Sequence, residues 1–175
     1  MIYTLNITLD SEDDDVSRQI AIDSANTLED LHFYILQSFS ITPEEPSCFY
    51  LSNDAWEQIE EFPMEELQDS FSSSSRTMEA TKLSETINLK QRNLIYVYDF
   101  LNLWTFFVQL TEISVPEAGI TYPVVLNAQG QLPERAPEKS FDRDNDPEDD
   151  FDLEEFEDDF DEFDDLDSFD DFNYN

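Results

Sequence analysis

From Phe141 to Asn175 the chain carries 19 carboxylates, seven phenylalanines and one basic residue, Arg143. So charged a stretch cannot bury enough apolar surface to offset the entropy of ordering it, so a folded domain has to come from the residues before it. Leu153, Phe156, Phe160, Phe163 and Leu166 would form one apolar stripe on a helix. Against that stand eleven Asp between Asp149 and Asp171, which together cost roughly 6–7 kcal/mol of helix propensity relative to Ala. Acids at helical spacing, such as Asp158, Asp161 and Asp165, repel one another as well. The free tail is therefore expected to be disordered. Exposed rings work against solubility, so a tail meant only to solubilise has no use for them. Acid with spaced aromatics reads as a segment that meets a basic, partly apolar partner, with Phe151, Phe156, Phe160, Phe163, Phe169 and Phe172 as the contact residues.

The remaining residues, 1–140, still carry a net charge of about −17 out of −35 for the whole chain. With eight Lys plus Arg in 175 residues, direct contact with a nucleic-acid backbone or an anionic membrane surface is not expected. A basic protein, or a nucleic-acid-binding protein whose surface the tail occupies by mimicking phosphate charge, fits better. Cys48 is the only cysteine and His32 the only histidine, so neither an intramolecular disulfide nor a thiolate metal cluster can form. Gly119 and Gly130 are the only glycines, which removes the phosphate-binding loop, the dinucleotide fingerprint and the serine nucleophile elbow. Asp142, Asp144 and Asp146 imitate the start of a calcium loop, but Pro147 and Leu153 stand where it needs Gly and Glu. No cofactor is expected. Met1 leads into Ile2-Tyr3-Thr4-Leu5 with neither a basic nor a long apolar segment, so a soluble, cytoplasmic protein is expected. Its oligomeric state is not legible.

Tyr3, Leu5, Ile7 and Leu9 alternate with polar residues as in a half-buried strand, and Val16, Arg18, Ile20 and Ile22 supply its hairpin partner. Thr27 is a helix N-cap, followed at helical spacing by Leu28, Leu31, Ile35 and Phe39, with an end near Ser40. Cys48–Leu51 reads as a short strand, 62–69 as a helical turn, and 71–80 as a polar loop. Leu83 and Ile87 fit a brief helix. Leu94–Phe100 and Trp104–Ile113 read as strands joined through Leu101-Asn102-Leu103, and Tyr122–Leu126 as a last strand before a turn at 127–130. The expected organisation is a domain over 1–127, a linker over 128–140 containing Pro133 and Pro137, and the tail over 141–175. The expected fold class is α+β: a single compact domain with a mainly antiparallel sheet packed by one main helix.

Several segments in register carry a resemblance. They are Thr27-Leu28-x-x-Leu31-His32, then Phe49-Tyr50-Leu51-Ser52-Asn53-Asp54-x-Trp56, then Leu83-Ser84 leading to Tyr96-x-Tyr98-Asp99-Phe100-x-x-x-Trp104, after a first strand of Ile2-Tyr3-x-Leu5-x-Ile7-x-Leu9. Together they resemble the plasmid pRiA4b ORF-3-like domain, a family found on plasmids and mobile elements. The resemblance implies a compact α+β domain over roughly 1–127 and brings no established activity. Where the family reads Gly, Asp and His after its Tyr-Asp-Phe, this chain has Leu101, Asn102 and Phe106. Those changes remove most of the polar positions that inherited catalytic or metal chemistry would use.

His32 could act as a general base only with a nucleophile or orienting carboxylate nearby. The plainer reading is a histidine packed at the helix–sheet junction. Asp99 could be an active-site acid, or the cap of the 101–103 turn. Trp104 reads as a sheet-face residue and Cys48 as a small buried hydrophobe. Three functions fit the sequence: a non-catalytic binding protein whose tail engages a partner, a domain whose tail only solubilises it, or a degenerate enzyme of unknown reaction.

Overall fold

The computed structural model describes residues 1–12, 15–65 and 76–137. All belong to the first of two units, Met1–Glu138; the second, Lys139–Asn175, lies outside the described residues, and so do the six phenylalanines expected to contact a partner.

Seven strands and two helices follow in chain order: β1 Ile2–Leu9, β2 Ser17–Asp23, α1 Leu28–Phe39, β3 Ser47–Ser52, β4 Gln58–Pro63, α2 Leu83–Thr86, β5 Asn93–Tyr98, β6 Trp104–Ser114 and β7 Val124–Gln129. The strands form one antiparallel sheet in the order β4-β3-β5-β6-β1-β2-β7. The expected α+β architecture, with an antiparallel sheet and one main helix, is what the chain adopts.

Alternation explains the core. Leu5, Ile7 and Leu9 of β1, Ile20 and Ile22 of β2, and Phe106, Val108 and Leu110 of β6 are buried, as period-two placement on one sheet face requires. Leu28, Leu31, Ile35 and Phe39 of α1 join the same cluster. Phe39 reaches Phe106 at 4.9 Å between ring centroids, and Phe49 reaches Tyr96 at 4.7 Å. Thr27 caps α1 as expected: its side chain accepts from the Asp30 N–H, and the Asp30 carboxylate accepts from the Thr27 N–H. Ser40 ends the helix in the left-handed region at φ 58°.

Arg18 sits where β2, β7 and the end of α1 meet. Its guanidinium lies 4.5 Å from the Phe39 ring centroid and donates to the carbonyls of Ser38, Ser17, Gln129 and Gly130.

Two segments differ from expectation. Phe62 and Pro63, expected in a helical turn, end the edge strand β4; residues 66–69 lie outside the described set. Gln58 to Glu61 are all exposed, so the strand shows no alternation to read. The last strand, expected over 122–126, runs Val124–Gln129, and the expected turn residues 127–129 pair with Ser17, Arg18 and Gln19 of β2. Its residues are mostly exposed, and pairing rather than burial places it. Of the four expected turn residues only Gly130 turns left-handed, at φ 67°, where a Cβ would sit 2.6 Å from the Asp15 carbonyl oxygen. Residues 71–75 of the expected polar loop are outside the described set.

Candidate functional site

Where α1 passes the start of β3 and the end of β4, a cavity of about 560 Å³ opens. Its apolar wall includes Phe33, Pro43, Pro46, Pro63, Met64 and Phe100. Four exposed glutamates line it as well, Glu44, Glu45, Glu61 and Glu65, and among the described residues no Lys or Arg does.

His32 and Ser47 also line this cavity, as part of a buried polar cluster. The His32 Nδ1 lies 2.7 Å from the Tyr96 hydroxyl and 3.1 Å from the Ser47 hydroxyl. All three side chains are buried. Desolvation pushes the His32 pKa down to about 4, so the imidazole is neutral at physiological pH. Burial raises the Tyr96 phenol well above its ordinary range, so it too stays neutral. The His32 Nε2 has no hydrogen-bond partner. The helix places His32 beside the core stripe, and the sheet supplies the rest: Ser47 opens β3 and Tyr96 lies on β5.

The third family-motif segment holds the cavity's rim. The Tyr98 hydroxyl donates to the Thr42 carbonyl at 2.6 Å and accepts from the Glu44 and Glu45 N–H groups at 3.2 Å each. The Asp99 N–H donates to the Pro46 carbonyl at 3.0 Å. These bonds fix the loop that carries Pro43, Glu44, Glu45 and Pro46. The Asp99 carboxylate turns the other way. It accepts from the Leu101 and Asn102 N–H groups and from the Asn102 side chain at 2.5 Å. The Asn102 side chain leads in holding this carboxyl below the usual carboxylate range. Asp99 is thus the cap of the turn, in the left-handed region at φ 58°.

The motif residues divide by role. Thr27 caps α1, Leu28 and Leu31 are core, and Trp104 packs partly buried against the core. His32 and Phe100 line the cavity, while Tyr98 and Asp99 build its rim. Cys48 is buried, with its thiol pushed up to about 11, mainly by desolvation, and so is no ready nucleophile. Phe106, where the family's histidine would stand, is wholly buried in the core. The sequence placed Tyr96 in a family motif without a role at the site, and gave no sign of Ser47 or the Thr42–Pro46 loop. The one available signal was Tyr96 and Tyr98 at period two in β5, which puts both hydroxyls on the α1 side of the sheet. Among the described residues no group of three or more His, Cys, Asp or Glu is placed to hold a metal ion. Among them, too, no helix is long and apolar enough to cross a membrane.

The plasmid pRiA4b ORF-3-like protein family matches residues 1–162. The chain belongs to this family. The match extends past residue 127, where the resemblance read from motifs stopped, and takes in part of the acidic segment. A crystal structure of a protein of unknown function from Methanosarcina mazei Go1 shares the fold, with a TM-score of 0.63 and 22% identity over 73% of this chain and 68% of that one. No curated protein matches this member of the family.

Proposed function

We propose that this pRiA4b ORF-3-like protein is a non-catalytic binding module that engages a basic protein partner. The observation that carries the reading is the cavity: an apolar wall with four glutamates and, among the described residues, no cation. A basic segment would lay its aliphatic parts on Phe33, Pro46 and Phe100 and its charge near the carboxylates. The strongly acidic composition supports the same polarity of partner, since like charge would be repelled over the whole surface. In this reading the acidic, phenylalanine-spaced tail is a second contact with the same partner.

Two sets of substitutions on the full chain test this, with a fluorescent lysine-rich peptide followed by anisotropy. Glu44→Gln, Glu45→Gln, Glu61→Gln and Glu65→Gln together are expected to weaken binding at least tenfold. Replacing the seven tail Phe with Ser is expected to weaken it further. Binding unchanged by the glutamine set would remove the cavity from the interaction; binding unchanged by the serine set would leave the tail a solubiliser.

A further inference from the structure

We propose that the group this cavity admits is a lysine-type primary ammonium, hydrogen-bonded to the His32 Nε2. The proposal rests on the basic-partner reading above and names the chemistry of what enters.

The His32 Nε2 is the one buried side-chain nitrogen or oxygen among the described residues that lacks a hydrogen bond. An unpaired buried polar atom is costly, and it persists most readily where a partner arrives from outside. The ring's other nitrogen is already committed to Tyr96 and Ser47. The carboxylates of Glu44, Glu45, Glu61 and Glu65 decide the sign of the visitor: anions are repelled and cations attracted. A nitrogen cation such as an ammonium brings N–H donors and no acceptor, so Nε2 has to receive.

The buried hydroxyls allow that tautomer. Nδ1–H donates to the Tyr96 hydroxyl at 2.7 Å, and the Ser47 O–H points to the Met64 sulfur at 4.0 Å. With the ring proton on Nδ1, Nε2 keeps its lone pair. Because the ring is neutral at physiological pH, it does not repel the incoming cation.

Size and shape favour ammonium over guanidinium. A guanidinium carries five donors in a rigid plane, suited to a carboxylate fork, whereas one lone pair can serve one donor. A compact head on a four-carbon stem also suits an apolar wall. The His32 ring is covered, and Phe33, about half exposed, packs edge-on against it at 4.8 Å between centroids. Phe33 is therefore the side chain that turns aside on binding.

The test uses the full chain and three short peptides that differ at one residue: lysine, trimethyl-lysine and arginine. Trimethyl-lysine keeps the charge and the stem but has no N–H. Calorimetric titration is expected to rank lysine about tenfold above trimethyl-lysine, the equivalent of one hydrogen bond to a charged group. Arginine is expected to fall between them, and His32→Phe to erase the differences. Nitrogen-15 NMR of the unaltered protein stands independent of that variant's folding. The Nε2 resonance is expected at an unprotonated position and should move with the lysine peptide only. Trimethyl-lysine binding as tightly as lysine or more so, or an Nε2 signal that carries a proton and ignores the peptide, overturns the proposal. In that case a loss of binding in the glutamine variants would still uphold the basic-partner reading. Absence of binding by all three peptides at low salt overturns both.

Discussion

A neutral, buried imidazole has a cost that appears only on acidification. His32 stays unprotonated down to about pH 4 when folded, whereas in the unfolded chain it takes up a proton near 6.5. Between those values the unfolded state binds the extra proton, so stability is expected to fall as the pH drops from about 6.5 towards 4. Urea unfolding across that range should show the decline, and His32→Gln should flatten it. A proton NMR midpoint for His32 above pH 6 would contradict the assignment. Tyr96→Phe leaves Nδ1 with Ser47 alone and is expected to cost about 0.5–1.5 kcal/mol, the net worth of one hydrogen bond. Asp99 invites a comparison of order. Asp99→Ala loses the turn's acceptor and strains a left-handed residue, while Asp99→Gly loses the acceptor alone. In thermal melts the alanine variant should unfold first. Of this cluster, the sequence made His32 and Asp99 visible because a lone histidine and a family-motif acid stand out. The pairing of His32 with Ser47 and Tyr96, 15 and 64 residues away, did not show, since nothing local distinguishes an inward hydroxyl with a partner from one without.

At the scale of elements, legibility followed burial. The helix α1 was readable because its apolar stripe, its cap and its end all agree, and Thr27→Ala is expected to cost about 1 kcal/mol in urea denaturation. The central strands β1 and β5, flanked on both sides, carry their positions in their apolar residues. The two edges do not: β4 has four exposed residues in a row and β7 five. An edge strand is defined by the neighbour whose backbone it meets, a long-range fact that residue pattern does not encode. The cavity inherits that difficulty, since Glu61 and Pro63 come from β4 and Glu44 to Pro46 from a loop whose anchor, Tyr98, lies on β5. Tyr98→Phe should therefore weaken lysine-peptide binding while α1 remains intact by circular dichroism.

For the whole molecule the dominant quantity is a formal charge of −35 over 175 residues. Self-repulsion of that size opposes compaction, and the same field draws in a cationic partner. Raising sodium chloride from about 10 to about 150 mM shortens the Debye length from roughly 30 to 8 Å. The melting temperature is thus expected to rise while affinity for the basic peptide falls, two opposite responses to one variable. A parallel fall in both would mean that salt is acting on something other than charge. Arg18 is a cation that this trade leaves alone. Its four bonds go to main-chain carbonyls of residues 17, 38, 129 and 130, none of which can take up a proton or be traded for a dissolved counterion. Buffer changes strong enough to strip a partner from the carboxylates should leave β7 fastened to β2, so the grip on the partner can be loosened while the sheet keeps its last strand.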